Sequence, residues 1–227
     1  MNQLVTRIRQ KLTRKEPTLI QWTTEGVELT ASEEDLRAAR ETFERDKLLR
    51  LPGLVSPELA EAAREGMARD GFESPDEATQ KSVFGGWYGL VREDLNPGVT
   101  NDMLNARAND PAFLEFVQQI AGTPPLGKCV GRVFRLLPTE KDLPWHTDAE
   151  GGRVADLVVD LSDERYEGGT FEIRDAETQK IFTAVDDMQY REGTLAPISE
   201  KIEHHNLRVT SKTPRVTFVG WFVPDGE

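Results

Sequence analysis

Apolar residues in the first half of the chain recur at helical spacing, whereas those of the second half alternate. Leu36, Ala39 and Phe43 follow Ser32, with Asp35 three residues after the serine in capping-box form, and this pattern predicts a helix over 32–46. Residues 47–51 (Lys-Leu-Leu-Arg-Leu) read as a short strand. Ser56-Pro57 is a cap and first-turn pair that opens a helix through about Arg69, ended by Gly71. Asp110-Pro111 opens another, with Phe113, Val117 and Ile120 on one face and Gly122 as its stop. Leu4, Ile8 and Leu12 recur every four residues and mark a short amphipathic helix near the start. The stretch 72–101, with Gly85-Gly86-Trp87-Tyr88-Gly89 and Asn96-Pro97-Gly98, has no clear period and reads as a long ordered loop or flap.

From Lys128 the period changes. Short β-prone runs occupy 128–137, 143–148, 153–160, 169–174, 178–185, 194–198, 202–209 and 214–223, separated by turns such as Glu167-Gly168-Gly169 and Arg191-Glu192-Gly193. Eight short strands after a helical region predict a mainly β jelly roll or barrel. Because helices precede the strands and do not alternate with them, a doubly wound parallel sheet is excluded; no GxGxxG or GxxxxGK[ST] motif is present. The expected organisation is one domain over 1–227: an N-terminal arm at 1–31, a helical support region with its long loop at 32–127, and a β core at 128–223.

Composition narrows the function. The 227 residues carry 28 Lys+Arg against 40 Asp+Glu, a formal charge of −12, and contain one Cys and three His. Arg7, Arg9, Lys11, Arg14 and Lys15 against Glu16 give the first sixteen residues +4, which leaves −16 on the remainder. A body so acidic disfavours nucleic acid as a partner. The basic arm reads as a helix packing on that body in preference to a membrane-surface or partner-binding element. No apolar run reaches the length of a membrane span, and the first residues lack the apolar stretch of a secretory signal. The single Cys129 excludes an internal disulfide and a Cys-rich zinc site and fits a small core residue in a reducing cytoplasm.

The chemistry lies with the histidines. His146 and Asp148 are two apart, and on an extended backbone residues i and i+2 share a face about 6–7 Å apart, so imidazole and carboxylate can converge on one ion. A third ligand is available from His204 or His205 in a later strand. Two His and one carboxylate with open positions is the facial arrangement of non-haem Fe(II) oxygenases. Arg215 follows His205 by ten residues. If 202–209 and 214–223 were adjacent antiparallel strands, it would return beside the metal and offer a bidentate fork to a carboxylate, with Thr217 on the same face.

These residues resemble the Fe(II)/2-oxoglutarate-dependent dioxygenases, in their prolyl-hydroxylase-like and phytanoyl-hydroxylase-like branches. The resemblance covers roughly 33–223. It rests on Trp145-His146-Thr147-Asp148, Glu167-Gly168-Gly169-Thr170-Phe171, Gly193-Thr194-Leu195, and His205 to Arg215 followed by Trp221-Phe222. In the first half, Arg45-Asp46, Leu48, Leu49 and Leu51 with residues 53–59 are similar to the family's first strand and support helix. The resemblance implies a double-stranded β-helix in which His146, Asp148 and His205 ligate Fe(II), and Arg215, assisted by Thr217, binds the distal carboxylate of 2-oxoglutarate. The ten-residue spacing favours His205 over His204. The implied reaction consumes O2 and 2-oxoglutarate, releases succinate and CO2, and hydroxylates an unactivated C–H. Asp148 argues against halogenation, because halogenating relatives replace that carboxylate with a small residue. Where the family often carries a Tyr that touches 2-oxoglutarate, this chain offers Phe134 and Leu136.

Four further side chains are candidate substrate contacts. Trp145 borders the metal motif and can stack on substrate or pack the wall. Arg153, in a Gly-Gly loop beyond Asp148, can grip an acidic group or be a solvated charge. Trp87 and Tyr88, with Arg92, can form a lid or a buried corner. On the last strand, one of Trp221 and Phe222 belongs to the core. The function expected is oxidation of a small-molecule or amino-acid-derived substrate, since only about 127 residues precede the β core. The competing readings are a peptidyl side-chain hydroxylase and a non-catalytic cupin-like metal-containing module. Arg215 counts against the last, which has no need of a carboxylate-binding cation there. Exposed apolar positions on the long loop leave a dimer open.

Overall fold

The computed structural model describes residues 18–74, 92–138 and 142–226. The expected arm helix around Leu4, Ile8 and Leu12 and the Trp87–Tyr88 pair lie outside them. Two short strands, β1 (Ile20–Trp22) and β2 (Val27–Leu29), form a hairpin. Its Ile20 and Trp22 are fully buried, so the latter part of the expected arm belongs to the core. Helix α1 (Glu33–Asp46), strand β3 (Leu49–Leu51) and helix α2 (Pro57–Asp70) follow. The caps are those the sequence predicts. Ser32 Oγ accepts from the Asp35 amide while the Asp35 carboxylate accepts from the Ser32 amide. At α2, Ser56 Oγ accepts from the Leu59 amide, and Pro57 fills the first turn.

The described residues of the stretch read as loop over 72–101, which are 72–74 and 92–101, carry regular secondary structure. It contains β4 (Phe72–Glu73), β5 (Arg92–Leu95) and the start of helix α3 (Val99–Ala108), which precedes α4 (Pro111–Ala121). Helix α3 lacks a clear apolar stripe because its sheet-facing row is asparagine. Asn101, Asn105 and Asn109 repeat every four residues, about 6 Å of helix, which matches the rise of two residues in a strand. Their side chains bond the backbone of β6 (Leu126–Leu136) at every second residue. Asn109 exchanges two bonds with Cys129, Asn105 exchanges two with Gly131, and Asn101 accepts from the Val133 amide. The amides thus complete a strand edge that β5 covers only from Phe134 to Leu136.

The remaining strands are β7 (Ala155–Asp160), β8 (Phe171–Asp175), β9 (Ile181–Val185), β10 (Gly193–Pro197), β11 (Ile202–Asn206) and β12 (Arg215–Pro224). They form a seven-stranded antiparallel sheet in the order β3-β10-β7-β12-β6-β5-β4 and a three-stranded sheet in the order β11-β8-β9. The jelly-roll architecture is as expected, with two corrections. Residues 143–148 make no strand and meet β11 through an isolated bridge between His146 and His204 and a bond from the Leu143 amide to the Asn206 carbonyl. Strands β11 and β12 are not neighbours in a sheet: β12 lies between β6 and β7, and β11 pairs with β8.

Alternation divides the large sheet between two environments. Ala155, Leu157 and Val159 of β7 and Phe218 and Phe222 of β12 pack against the helices, around Trp22 and Phe113. The Trp22 and Phe113 rings meet edge to face at 5.0 Å, a geometry worth about 1 kcal/mol beyond burial. Gly131 is required in this layer, because a Cβ there would lie 2.1 Å from the Phe218 ring. The opposite face turns Asp156, Val158 and Asp160 of β7 and Arg215, Thr217, Val219 and Trp221 of β12 toward the three-stranded sheet. Polar groups buried on this inner face mark the site.

Candidate metal and cosubstrate site

His146, Asp148 and His204 bring one ligand atom each to within 4.8 Å of one another. The structure therefore selects His204 where the ten-residue spacing favours His205. The physical reason is strand phase. His146 exchanges backbone hydrogen bonds with His204, 3.1 and 2.9 Å long, which fixes the segment carrying His146 opposite that residue. His204 is paired with Ile173, a fully buried core residue, and so faces inward. His205, one residue on, must face outward. There its Nε2 lies 2.8 Å from Glu172 Oε2, and its ring stacks on Trp145 with centroids 3.7 Å apart. Arg174 covers Trp145 at 4.0 Å, so this tryptophan packs the outer wall and the wall reading replaces the substrate one.

The cluster of His146, Asp148 and His204 could hold a cation. His146 Nδ1 lies 2.8 Å from the Pro144 carbonyl, a contact that assigns the proton to Nδ1 and leaves Nε2 as the donor. Burial, with His146 alongside, pulls the His204 imidazole down to about 4 against the opposing pull of Asp148, so the ring is neutral at physiological pH. Trp221 Nε1 donates to Asp148 Oδ2 at 2.6 Å and orients that carboxylate. Of the last-strand pair, Phe222 is the core residue. Asp156, across from Trp221 on β7, is also buried, and its Oδ1 has no hydrogen-bond partner. Burial and the nearby Asp148 hold its carboxyl well above the usual carboxylate range.

Arg215 lies on the same inner face and is 2% exposed. It reaches the small sheet although β11 is not its neighbour: Nη1 donates to Asn206 Oδ1 and to the Gly169 carbonyl, both at 2.8 Å. Asn206 is two residues beyond His204 and shares its face. Gly169 has φ +73, and a Cβ there would stand 3.2 Å from Arg215 Cδ, so glycine permits this approach. The other half of the fork is unsatisfied: Nη2 meets only the Met188 sulfur at 3.4 Å, and buried Nε has no partner. An orphaned guanidinium edge inside a barrel fits a missing carboxylate. Thr217 is buried and points the same way, cross-strand from Asp160 and Phe134. Tyr166 Oη donates to Asp160 Oδ2 at 2.6 Å, and its ring lies 5.9 Å from the Arg215 guanidinium. Burial pushes both the Tyr166 phenol and the Asp160 carboxyl upward, against the pull of Arg215.

Sequence reasoning missed Trp221, Asn206, Asp156 and the Asp160–Tyr166 pair as parts of the site. Alternation from His204 could have found Asn206; the others depend on which strands lie opposite.

Comparison with known proteins gives a consistent answer. Residues 133–223 match the family model described as 2OG-Fe(II) oxygenase superfamily, whose members use Fe(II), 2-oxoglutarate and O2. No curated protein matches the sequence. Several solved structures share the fold. A 2OG-Fe(II) oxygenase family oxidoreductase from Burkholderia pseudomallei superimposes with TM-score 0.60 at 14% identity, covering 89% of this chain and 94% of its own. A prolyl hydroxylase from Trichoplax adhaerens, solved with a hypoxia inducible factor peptide, gives 0.63 at 11%, covering 86% and 95%. The non-haem α-ketoglutarate-dependent epimerase SnoN from nogalamycin biosynthesis gives 0.60 at 16%, covering 85% and 84%. The double-stranded β-helix and the His-Asp-His cluster agree with this similarity of residues 133–223 to the 2OG-Fe(II) oxygenase superfamily.

Proposed function

We propose that the protein is an Fe(II)- and 2-oxoglutarate-dependent hydroxylase of a small-molecule or amino-acid-derived substrate. The observation that carries this reading is the pairing of two features on one inner face: a His146, Asp148 and His204 cluster, and a buried Arg215 with an unsatisfied edge. His146, Asp148 and His204 would hold the metal, and Arg215 with Thr217 would hold the distal carboxylate of 2-oxoglutarate. The bound metal and cosubstrate supply, with O2, an oxidant able to remove hydrogen from an unactivated C–H while succinate and CO2 leave.

The chain's own residues supply position and environment. With three ligands from two segments, these residues would hold a metal while leaving positions for cosubstrate and O2. Trp221 fixes the ligand carboxylate, and Asn206 and Gly169 hold Arg215 so that its free edge is ready for a carboxylate without reorganisation. Val158, Val219 and Ile173 put buried apolar surface beside these polar groups, which strengthens the charge pairing there. Asp148 in the ligand set favours hydroxylation over halogenation. SnoN, an epimerase, shares the fold, so product analysis separates hydroxylation from epimerisation.

The test is an anaerobic titration of metal-free protein with Fe(II) and then 2-oxoglutarate, monitored for the visible charge-transfer band of chelated cosubstrate. A saturable band is expected. Arg215→Ala should weaken 2-oxoglutarate by roughly thirtyfold or more, since truncating one partner of a buried charge pair costs about 2 kcal/mol or more. A metal-loaded protein without any band would remove the oxygenase reading in favour of a binding module.

A further inference from the structure

The inner face that carries Arg215 and Trp221 continues onto β6 and β5. Cross-strand pairing puts Arg132 beside Val219, Phe134 beside Thr217, and Asp94 beside Phe134, all on that face. Two guanidinium groups gather at Trp221, whose indole is bonded to Asp148: Arg153 Cζ lies 4.6 Å and Arg132 Cζ 5.7 Å from its ring. Trp221 therefore joins a ligand carboxylate on its N–H edge to two cations over its ring.

These cations are under-compensated. Arg153 makes no ion pair among the described residues. Asp94 Oδ2 approaches Arg132 only to 3.8 Å, because both oxygens of that carboxylate already accept from Arg92. Burial, and the proximity of Arg92 and Arg153, make the charged form of Arg132 less favourable than usual, which shows that the guanidinium groups feel one another. Such crowding costs free energy unless an anion offsets it. A chain with a net charge of −12 has carboxylates in excess, yet among the described residues Arg132 and Arg153 receive no closely bonded one. A guanidinium lying over an aromatic ring keeps its N–H edge free for bidentate bonds to an oxyanion. The Arg132 side chain is 41% exposed, so such an anion has access from solvent.

We propose that the substrate carries an oxyanion, a carboxylate or phosphate, held by Arg132 and Arg153 over Trp221 next to the metal ligands. This deepens the function proposed above and rests on it. Placed there, the anionic group anchors one end of the substrate and sets which C–H reaches the open side of the metal.

The test uses protein loaded with Mn(II) and N-oxalylglycine, which occupies the Arg215 end, titrated with benzoate, benzamide or inorganic phosphate while tryptophan fluorescence is followed. Wild-type protein should bind benzoate or phosphate saturably and benzamide far more weakly. R132Q and R153Q should each weaken the anion by about tenfold, and R132Q/R153Q should remove binding. Tighter phosphate than benzoate assigns a phosphate-bearing substrate, and the reverse assigns a carboxylate. Equal affinity for benzamide and benzoate, no anion binding by wild type, or unchanged anion affinity in R132Q/R153Q would overturn the proposal. The charge-transfer titration of wild-type protein separates the two failures: a normal band with no anion binding sinks only this inference, whereas loss of the band sinks the oxygenase reading.

Discussion

The indole nitrogen of Trp221 donates to Asp148 Oδ2 at 2.6 Å and ties β12 to the loop that carries His146 and Asp148. A hydrogen bond of this kind sets the carboxylate's rotamer before a cation arrives, and partners of metal ligands commonly contribute tenfold or more in affinity. Trp221→Phe keeps the ring but loses the donor. Its Mn(II) affinity, read by isothermal titration calorimetry, should fall by about tenfold with little change in melting temperature. Wild-type affinity in the variant would show that Asp148 is oriented by the loop alone.

His204 and His205 are adjacent and opposite in role. His204→Ala should abolish Fe(II) binding. His205→Ala should retain it and lose only the outer contacts with Glu172 and Trp145, about 1 kcal/mol of stability. Metal binding by each variant, measured beside urea unfolding, distinguishes them; the reverse pattern would return the ligand role to His205.

The low pKa of His204 makes the metal-free protein acid-sensitive in a defined window. The unfolded chain takes up this proton near 6.5 and the folded chain only near 4, so the unfolded state binds more protons between them. Stability should therefore rise with pH across that window, with the penalty complete below 4 and absent above 6.5. Urea unfolding of chelator-treated wild type and His204→Phe at the two ends isolates this group. Parallel losses in both proteins would place the acid sensitivity elsewhere.

The asparagine row of α3 should matter for folding although none of its side chains belongs to the His146, Asp148 and His204 cluster. Asn105→Ala leaves the Gly131 N–H and carbonyl without their side-chain partner, and unsatisfied buried groups cost about 1–3 kcal/mol each. A drop of several degrees in melting temperature, with 2-oxoglutarate binding intact once folded, is the expected result. An unchanged melting temperature would mean that water serves that strand edge equally well.

Much of this protein is decided by neighbours close in sequence. Ser32 with Asp35, Ser56-Pro57 and Asp110-Pro111 favour helix starts at their own positions, because caps and fixed proline φ act within one turn. The alternation after Lys128 specifies most of the strands for the same local reason, and His146 with Asp148 is legible because short spacing and side-chain chemistry name the pair. What the tertiary structure decided is phase and partnership. Whether His204 or His205 faces inward depends on the bridge to His146, nearly sixty residues earlier, since a one-residue shift in a strand exchanges its faces. The placing of Trp221 on Asp148, of Asn206 on Arg215, and of an asparagine-lined helix along β6 likewise depends on strand order across the sheets. No local spacing encodes that order, because it is set by which faces can be buried together when the chain closes on itself.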